Sequence, residues 1–203
     1  MSLSVATKPA TLMAALWPAG ARPQSGALRA LALAAIGSLL LTISAKVQVP
    51  FWPVPMTMQT FAVVVIGMAY GPRLATATVL LYLVEGAAGL PVFAGTPERG
   101  IGLAYMAGPT GGYLAGFFLA AVLCGWLAER GWDRRLVPAL FAMLLGHAVI
   151  FACGLGWLGA QIGMAKAIAV GFTPFLLGTV VKIALAAAVL WSAWLGLEKR
   201  RGV

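Results

Sequence analysis

The sequence predicts an all-α membrane protein of six transmembrane helices with both termini in the cytoplasm. Three observations predict it. Of 203 residues, 62% are apolar and only 9% charged, against about 25% charged in a soluble globular domain. Apolar runs approaching span length alternate with short segments rich in proline, glycine or charge. The basic residues are distributed unevenly between alternate connecting segments. A chain this size cannot hide so much apolar surface from water. A soluble domain, a disordered chain and a disulfide-framed module are therefore excluded. At roughly 20 residues per span the length accommodates about six helices and no separate soluble domain.

Residues 1–27 read as a cytoplasmic N-terminal tail. Pro9, Pro18 and Pro23 interrupt it. The apolar stretch from Leu12 to Trp17 is too short to span, and no charged n-region and cleavage site frame it as a signal peptide. The membrane domain covers 28–197. Its first helix runs about 28–45. Pro50, Pro53 and Pro55 then forbid helix, with Phe51 and Trp52 among them. The second helix, about 57–70, is stopped by Gly71 and Pro72. The third covers about 74–88. A glycine-rich segment from Gly89 to Pro109 leads to the fourth, about 111–128. A polar turn from Glu129 to Arg135 leads to the fifth, about 136–157. The sixth, about 173–196, runs into a basic tail over 198–203. No internal repeat is visible, so nothing points to an inverted-repeat transporter.

The chain carries 14 Lys+Arg against 5 Asp+Glu, a net charge of +9. In a soluble protein that balance would point to nucleic acid. Here the cations sit between helices and read as topology, so no nucleic acid is expected. With the N terminus inside, ten cations fall on the inner side. Lys46, Arg99 and Lys166 fall outside, and Lys182 lies within the sixth helix. Cys124 and Cys153 lie in apolar runs and read as small core residues.

Lys182 is the sharpest signal. A charge at that depth costs a few kcal/mol or more and marks a functional group with a partner. That partner is either Glu85 on the third helix or an anionic ligand. Thr179 and Phe175 precede Lys182 on the same helix face, so the stripe offers a cation, a hydroxyl and a ring. Gln59 is a polar amide where an apolar residue would be cheaper. Trp52 reads either as an interfacial belt residue or as a pocket wall. Tyr105 and Tyr113 flank Gly108-Pro109-Thr110-Gly111-Gly112, and Tyr82 joins the candidate set. Those glycines lack the lysine of a phosphate loop. His147 is the only histidine, and reads as a packed or gating residue. Ala30, Ala34 and Ser38 recur every four residues, a stripe that permits close helix approach in lipid. No nucleotide-hydrolysis motif, nucleophile elbow or zinc-protease motif is present. Binding or transport is favoured over chemistry, with no enzyme activity and no cofactor expected.

Several motifs are familiar together. Val54-Pro55-Met56-Thr57-Met58-Gln59-Thr60-Phe61, Gly71-Pro72-Arg73, Gly89-Leu90-Pro91-Val92-Phe93-Ala94-Gly95 and Gly108-Pro109-Thr110-Gly111-Gly112-Tyr113-Leu114 occur in this order. Across roughly 28–195 the chain resembles the BioY family, the biotin-specific S components of energy-coupling factor (ECF) vitamin transporters. The resemblance implies an S-component-like six-helix fold in the bacterial inner membrane, with a biotin pocket near the outer face roofed by loops. It implies a coupling transmembrane subunit and two ABC ATPases as partners, with Ala30 and Ala34 as docking residues. The family's sixth-helix pattern reads Gly-Asp-x-x-Lys; this chain has Gly178-Thr179-Val180-Val181-Lys182. A hydroxyl accepts hydrogen bonds more weakly than a carboxylate, and its neutrality leaves Lys182 freer to meet a carboxylate. Biotin's carboxylate would go to Lys182, its ureido group to Thr179 and Gln59, and its ring against Trp52, Tyr105 and Tyr113. The competing readings are a stand-alone or proton-coupled carrier using Glu85, His147 and Lys182, and a non-transport scaffold.

Overall fold

A computed structural model describes residues 11–18, 23–49 and 52–201. The expected tail over 1–10 and 19–22, and Phe51 with Pro50, lie outside the described residues. The architecture is helical: α1 (Leu12–Leu16), α2 (Pro23–Lys46), α3 (Gln59–Tyr70), α4 (Pro72–Ala87), α5 (Gly102–Ala107), α6 (Gly111–Glu129), α7 (Leu136–Ile162), α8 (Met164–Gly171) and α9 (Leu176–Arg201). A two-residue antiparallel ladder joins β1 (Gln48–Val49) to β2 (Met56–Thr57).

Among the described residues, four helical stretches are long and apolar enough to cross a membrane: Gln24–Lys46, Gly111–Glu129, Leu136–Ile162 and Met164–Lys199. α3 and α4 are shorter, about 18 and 24 Å at 1.5 Å per residue, against a hydrocarbon core of about 30 Å. Both are bounded by sequence. Gly71 stops α3 with φ +80°, and Pro72 opens α4 at its first turn, where a missing N–H costs nothing.

The main departures from the expected boundaries lie where short helices hide in loops. The stretch from Leu12 forms α1, capped by the Thr11 hydroxyl, which accepts from Ala14 N at 3.3 Å. Leu12 and Ala15 are buried against α3 and α9, and Arg29 donates to Met13 O at 3.0 Å. That part of the expected tail is thus packed onto the bundle. α5 lies within the glycine-rich segment, and α8 precedes the last helix.

Two apolar clusters divide the core. One centres on Tyr82, Phe93, Tyr113, Phe117, Phe151 and Phe175 at the end carrying the long loops. The other centres on Met68, Ala139, Ala142, Ala186, Ala187 and Trp194. It lies at the basic end, where Asp133 is fully buried and accepts from Trp194 Nε1 at 2.8 Å. Burial pushes the Asp133 carboxyl up to about 6. Cys124 and Cys153 are both free, Cys124 buried in the second cluster.

Candidate functional site

Beyond α2 the chain turns back through the described segment 53–55. Pro53, Val54 and Pro55 are buried, and the β1–β2 ladder aligns Gln48 with Thr57. This return leaves the Thr57 carbonyl at the mouth of α3, facing α9. Lys182 lies six residues into α9, about 9 Å along its axis. Its ammonium donates to Thr57 O at 2.5 Å and to Thr60 Oγ1 at 3.4 Å. Lys182 is only 8% exposed. Both acceptors are neutral, so its charge is solvated by dipoles rather than by a carboxylate. The expected pairing with Glu85 is not formed: Glu85 accepts the Ser38 hydroxyl from α2 instead. Ser38 recurs with Ala34 on the face of α2 that packs on α4, which explains where the acid went.

Around Lys182 lies a cavity of about 50 Å³. Of the residues singled out in the sequence, Thr179, Gln59, Tyr105, Tyr113, Phe175 and Lys182 line it. Thr57, Thr60, Thr110, Phe117 and Phe151 also line it and were not among the expected residues. Thr57 and Thr60 sit inside the proline-led motif 54–61, where their type carried no signal of its own. Phe117 and Phe151 each share an apolar helix with other aromatics, Phe118 and Trp126 in α6 and Phe141 and Trp157 in α7, and could not be told from lipid-facing residues.

Two expected residues lie outside the lining. Tyr82 is fully buried behind Gln59. Its hydroxyl accepts from Gln59 Nε2 at 2.6 Å and donates to Val92 O at 3.1 Å. It orients the amide, whose Oε1 accepts from Thr57 Oγ1 at 3.3 Å. Trp52 is 77% exposed and does not wall the cavity. Its neighbours Pro53 to Pro55 take the inward positions, and the ring is left at the surface.

Aromatic packing shapes the cavity. Tyr113 donates to Gly171 O at 2.8 Å, and its ring lies where any side chain at Gly154 would stand. Phe151 meets Tyr113, Phe172 and Phe175 edge-on, at 6.4, 5.0 and 6.4 Å between centroids. Phe93 stacks on Tyr105 at 4.9 Å. Burial raises the Tyr105 phenol above its ordinary value, so it stays a neutral donor to Ala94 O at 2.8 Å. The chemistry on offer is one ammonium, several hydroxyls and an amide in an apolar, ring-lined enclosure. That composition is of the kind that suits a small, partly apolar ligand.

The remaining expected residues are placed as follows. Ala34 is 8% exposed and turned inward, and Ala30 is half-buried. The inner part of that stripe therefore packs α2 into its own bundle. The exposed face of α2 is formed by Leu28, Leu31, Ile36, Leu39 and Ile43. His147 is buried, with Nδ1 2.9 Å from Met143 O.

Comparison with known proteins shows what the chain is similar to. The model of the BioY family matches residues 12–199. The chain is 37% identical to a probable biotin transporter BioY of Pyrococcus horikoshii over 77% of this chain and 91% of that one. It is 37% identical to the biotin transporter BioY of Thermotoga maritima over 80% of this chain and 94% of that one. In structure it is similar to the S-component for biotin from an ECF-type ABC transporter, with a TM-score of 0.73. That likeness covers 85% of this chain and 94% of the other, at 23% identity.

Proposed function

The chain belongs to the BioY family, and from that premise we propose that it is the biotin-binding membrane subunit of a vitamin uptake transporter, and not an enzyme. The observation that carries this reading is Lys182, a buried cation held by neutral oxygens in a ring-lined cavity. Biotin presents an apolar fused ring and chain, one ureido group and one carboxylate. The carboxylate goes to Lys182, exchanging dipolar partners for a charged hydrogen bond. Thr179 and Gln59 serve the ureido group, while Tyr105, Tyr113 and Phe175 enclose the ring. Tyr82 acts through Gln59.

The cavity of about 50 Å³ is smaller than the several hundred Å³ of sites for ligands of this size. Entry therefore requires the roof contributed by Val54, Pro55, Ala94, Tyr105 and Thr110 to move. Six helices, α2, α3, α4, α6, α7 and α9, cross the bilayer in this reading. The basic end faces the cytoplasm with both termini, and the loop end faces outward and captures biotin tightly. The chain then sits in a bacterial inner membrane. A coupling transmembrane subunit with two ABC ATPases supplies the energy, and half-buried Ala30 with the exposed face of α2 is available for docking. The apolar interior and the diversion of Glu85 to Ser38 weigh against a proton relay through Glu85, His147 and Lys182.

Equilibrium binding of biotin to the purified full chain in detergent tests the reading. Wild type binds, and Lys182→Ala weakens binding about a hundredfold or more, since an unpaired buried carboxylate costs 3–5 kcal/mol. A folded wild type that binds no biotin contradicts it.

A further inference from the structure

Beyond a few short-range backbone bonds of its own, among them Thr96 N to Phe93 O at 3.4 Å, the turn over 92–96 is held by side chains from elsewhere and by its own threonine. Val92 O accepts from Tyr82, and Ala94 O accepts from Tyr105 at 2.8 Å. Phe93 O and Thr96 O accept from Lys46 Nζ at 3.0 and 3.2 Å, and Thr96 Oγ1 accepts from it at 3.0 Å. Thr96 Oγ1 also donates to Phe93 O at 2.7 Å. An ammonium has three N–H donors, so Lys46 meets three oxygens with three protons.

Lys46 is the last residue of α2, 47 to 50 positions away in sequence from the turn it holds. The turn matters to the cavity directly. Ala94 lines it, and the Phe93 ring stacks on Tyr105, which lines it too. Phe93 fits only because Gly86 has no side chain where the ring lies. Through Tyr82 the turn is bonded to Gln59 inside the cavity. Lys46 thus reaches the cavity wall without touching the cavity.

We propose that Lys46 is a positioning residue for ligand retention: its ammonium, seated on three oxygens of the 93–96 turn, holds shut the part of the cavity wall that must move for the ligand to leave. The inference rests on the biotin-binding reading above. Its signature is kinetic. Hydrogen bonds that hold a wall closed are broken on the way out, so removing them raises the dissociation rate more than it changes the association rate.

The test measures biotin association and dissociation rates on the full chain in detergent for wild type, Lys46→Met, Lys46→Arg and Thr96→Val. Amide exchange over residues 92–107 is followed in the ligand-free proteins. Lys46→Met keeps the length of the side chain and removes its donors. It is expected to release biotin roughly tenfold faster or more, with association within about threefold and faster exchange at Ala94 and Thr96. Lys46→Arg retains donors and stays near wild type. Thr96→Val removes one acceptor of three and gives a smaller acceleration. It also decides the question if Lys46→Met fails to fold. A dissociation rate within twofold of wild type in Lys46→Met, or in Thr96→Val when it alone folds, overturns the proposal. So does a rate change accompanied by faster exchange throughout the bundle. A wild type that binds no biotin overturns the functional reading itself, before any variant is compared, and this inference with it.

Discussion

Around Tyr82, Phe93, Tyr113 and Phe151 the bundle is filled with rings, while around Ala139, Ala142, Ala186 and Ala187 it is filled with methyl groups. Both halves are built from the same apolar helices in the same solvent. Lipid gives helices no hydrophobic reason to associate, so close backbone approach and polar contacts decide their packing. Alanine lets helices at the basic end close on one another and leaves no room. At the loop end, rings hold the helices apart, and hydroxyls bonded to loop carbonyls fix the rings. The cavity residues on the helices come from the ring-filled half, and the rest come from the loops that cover it. Irregular backbone at membrane depth is tolerated where protein or a cavity covers it, which is where these loops lie. One half is a rigid base and the other is a container.

The largest expected effect comes from breaking the container. Gly154→Val places methyls in the Tyr113 ring, which must leave and give up its bond to Gly171 O. Overpacking of this kind costs about 1–3 kcal/mol. A biotin binding assay should show affinity lost along with a lower melting temperature. If binding survives, Tyr113 does not shape the site. Breaking the base should separate the two properties. Ala187→Leu overpacks a fully buried position and should cost a similar 1–3 kcal/mol. Thermal melting in detergent should fall while the biotin dissociation constant stays within about threefold. A parallel loss of affinity would show that the halves are not independent.

A subtler change touches the ligand alone. Thr179→Val keeps the shape and removes the hydroxyl, so binding should weaken roughly three- to tenfold with melting unchanged. Isothermal titration of the two proteins checks this, and an unchanged affinity removes Thr179 from the ureido contact. The smallest effect belongs to the base. Burial pushes the Asp133 carboxyl from 3.8 up to about 6, so the fold prefers it protonated. The stabilisation this provides is complete below about pH 3.8 and lost as pH rises through about 6. The melting temperature should therefore rise between pH 7 and pH 5, and Asp133→Asn should flatten that rise. A pH profile that is the same in both proteins would dismiss Asp133 as its source.

Much of the container could be read from residue types. Lys182 announced itself because a buried cation is expensive, and Thr179 and Phe175 followed from helical spacing. Gln59 was conspicuous as an amide among apolar residues. The helix order was legible because Gly71, Pro72 and the charged turn near Asp133 punctuate it. What remained hidden has a common physical origin. Thr57 holds Lys182 through its backbone carbonyl, which no side-chain inventory reveals. Glu85 is drawn to Ser38 by the packing of α2 on α4, a contact between residues far apart in sequence. Trp52 and Pro53 are adjacent, yet one is exposed and the other buried, because loop backbone obeys no periodicity. Ala34 and Ser38 had the spacing of a close-packing stripe, but spacing does not say which way a stripe faces, and both are buried within the bundle.

The central claim is that Lys182 receives the ligand's carboxylate inside the ring-lined half. The most direct measurement is a cycle of two proteins and two ligands. Wild type and Lys182→Met are titrated with biotin and with its methyl ester, which keeps the ring and the ureido group and removes the charge. The account predicts that wild type prefers biotin strongly and that Lys182→Met loses this preference, giving a coupling between residue and carboxylate. Equal preference in both proteins would contradict it and place the carboxylate elsewhere in the cavity.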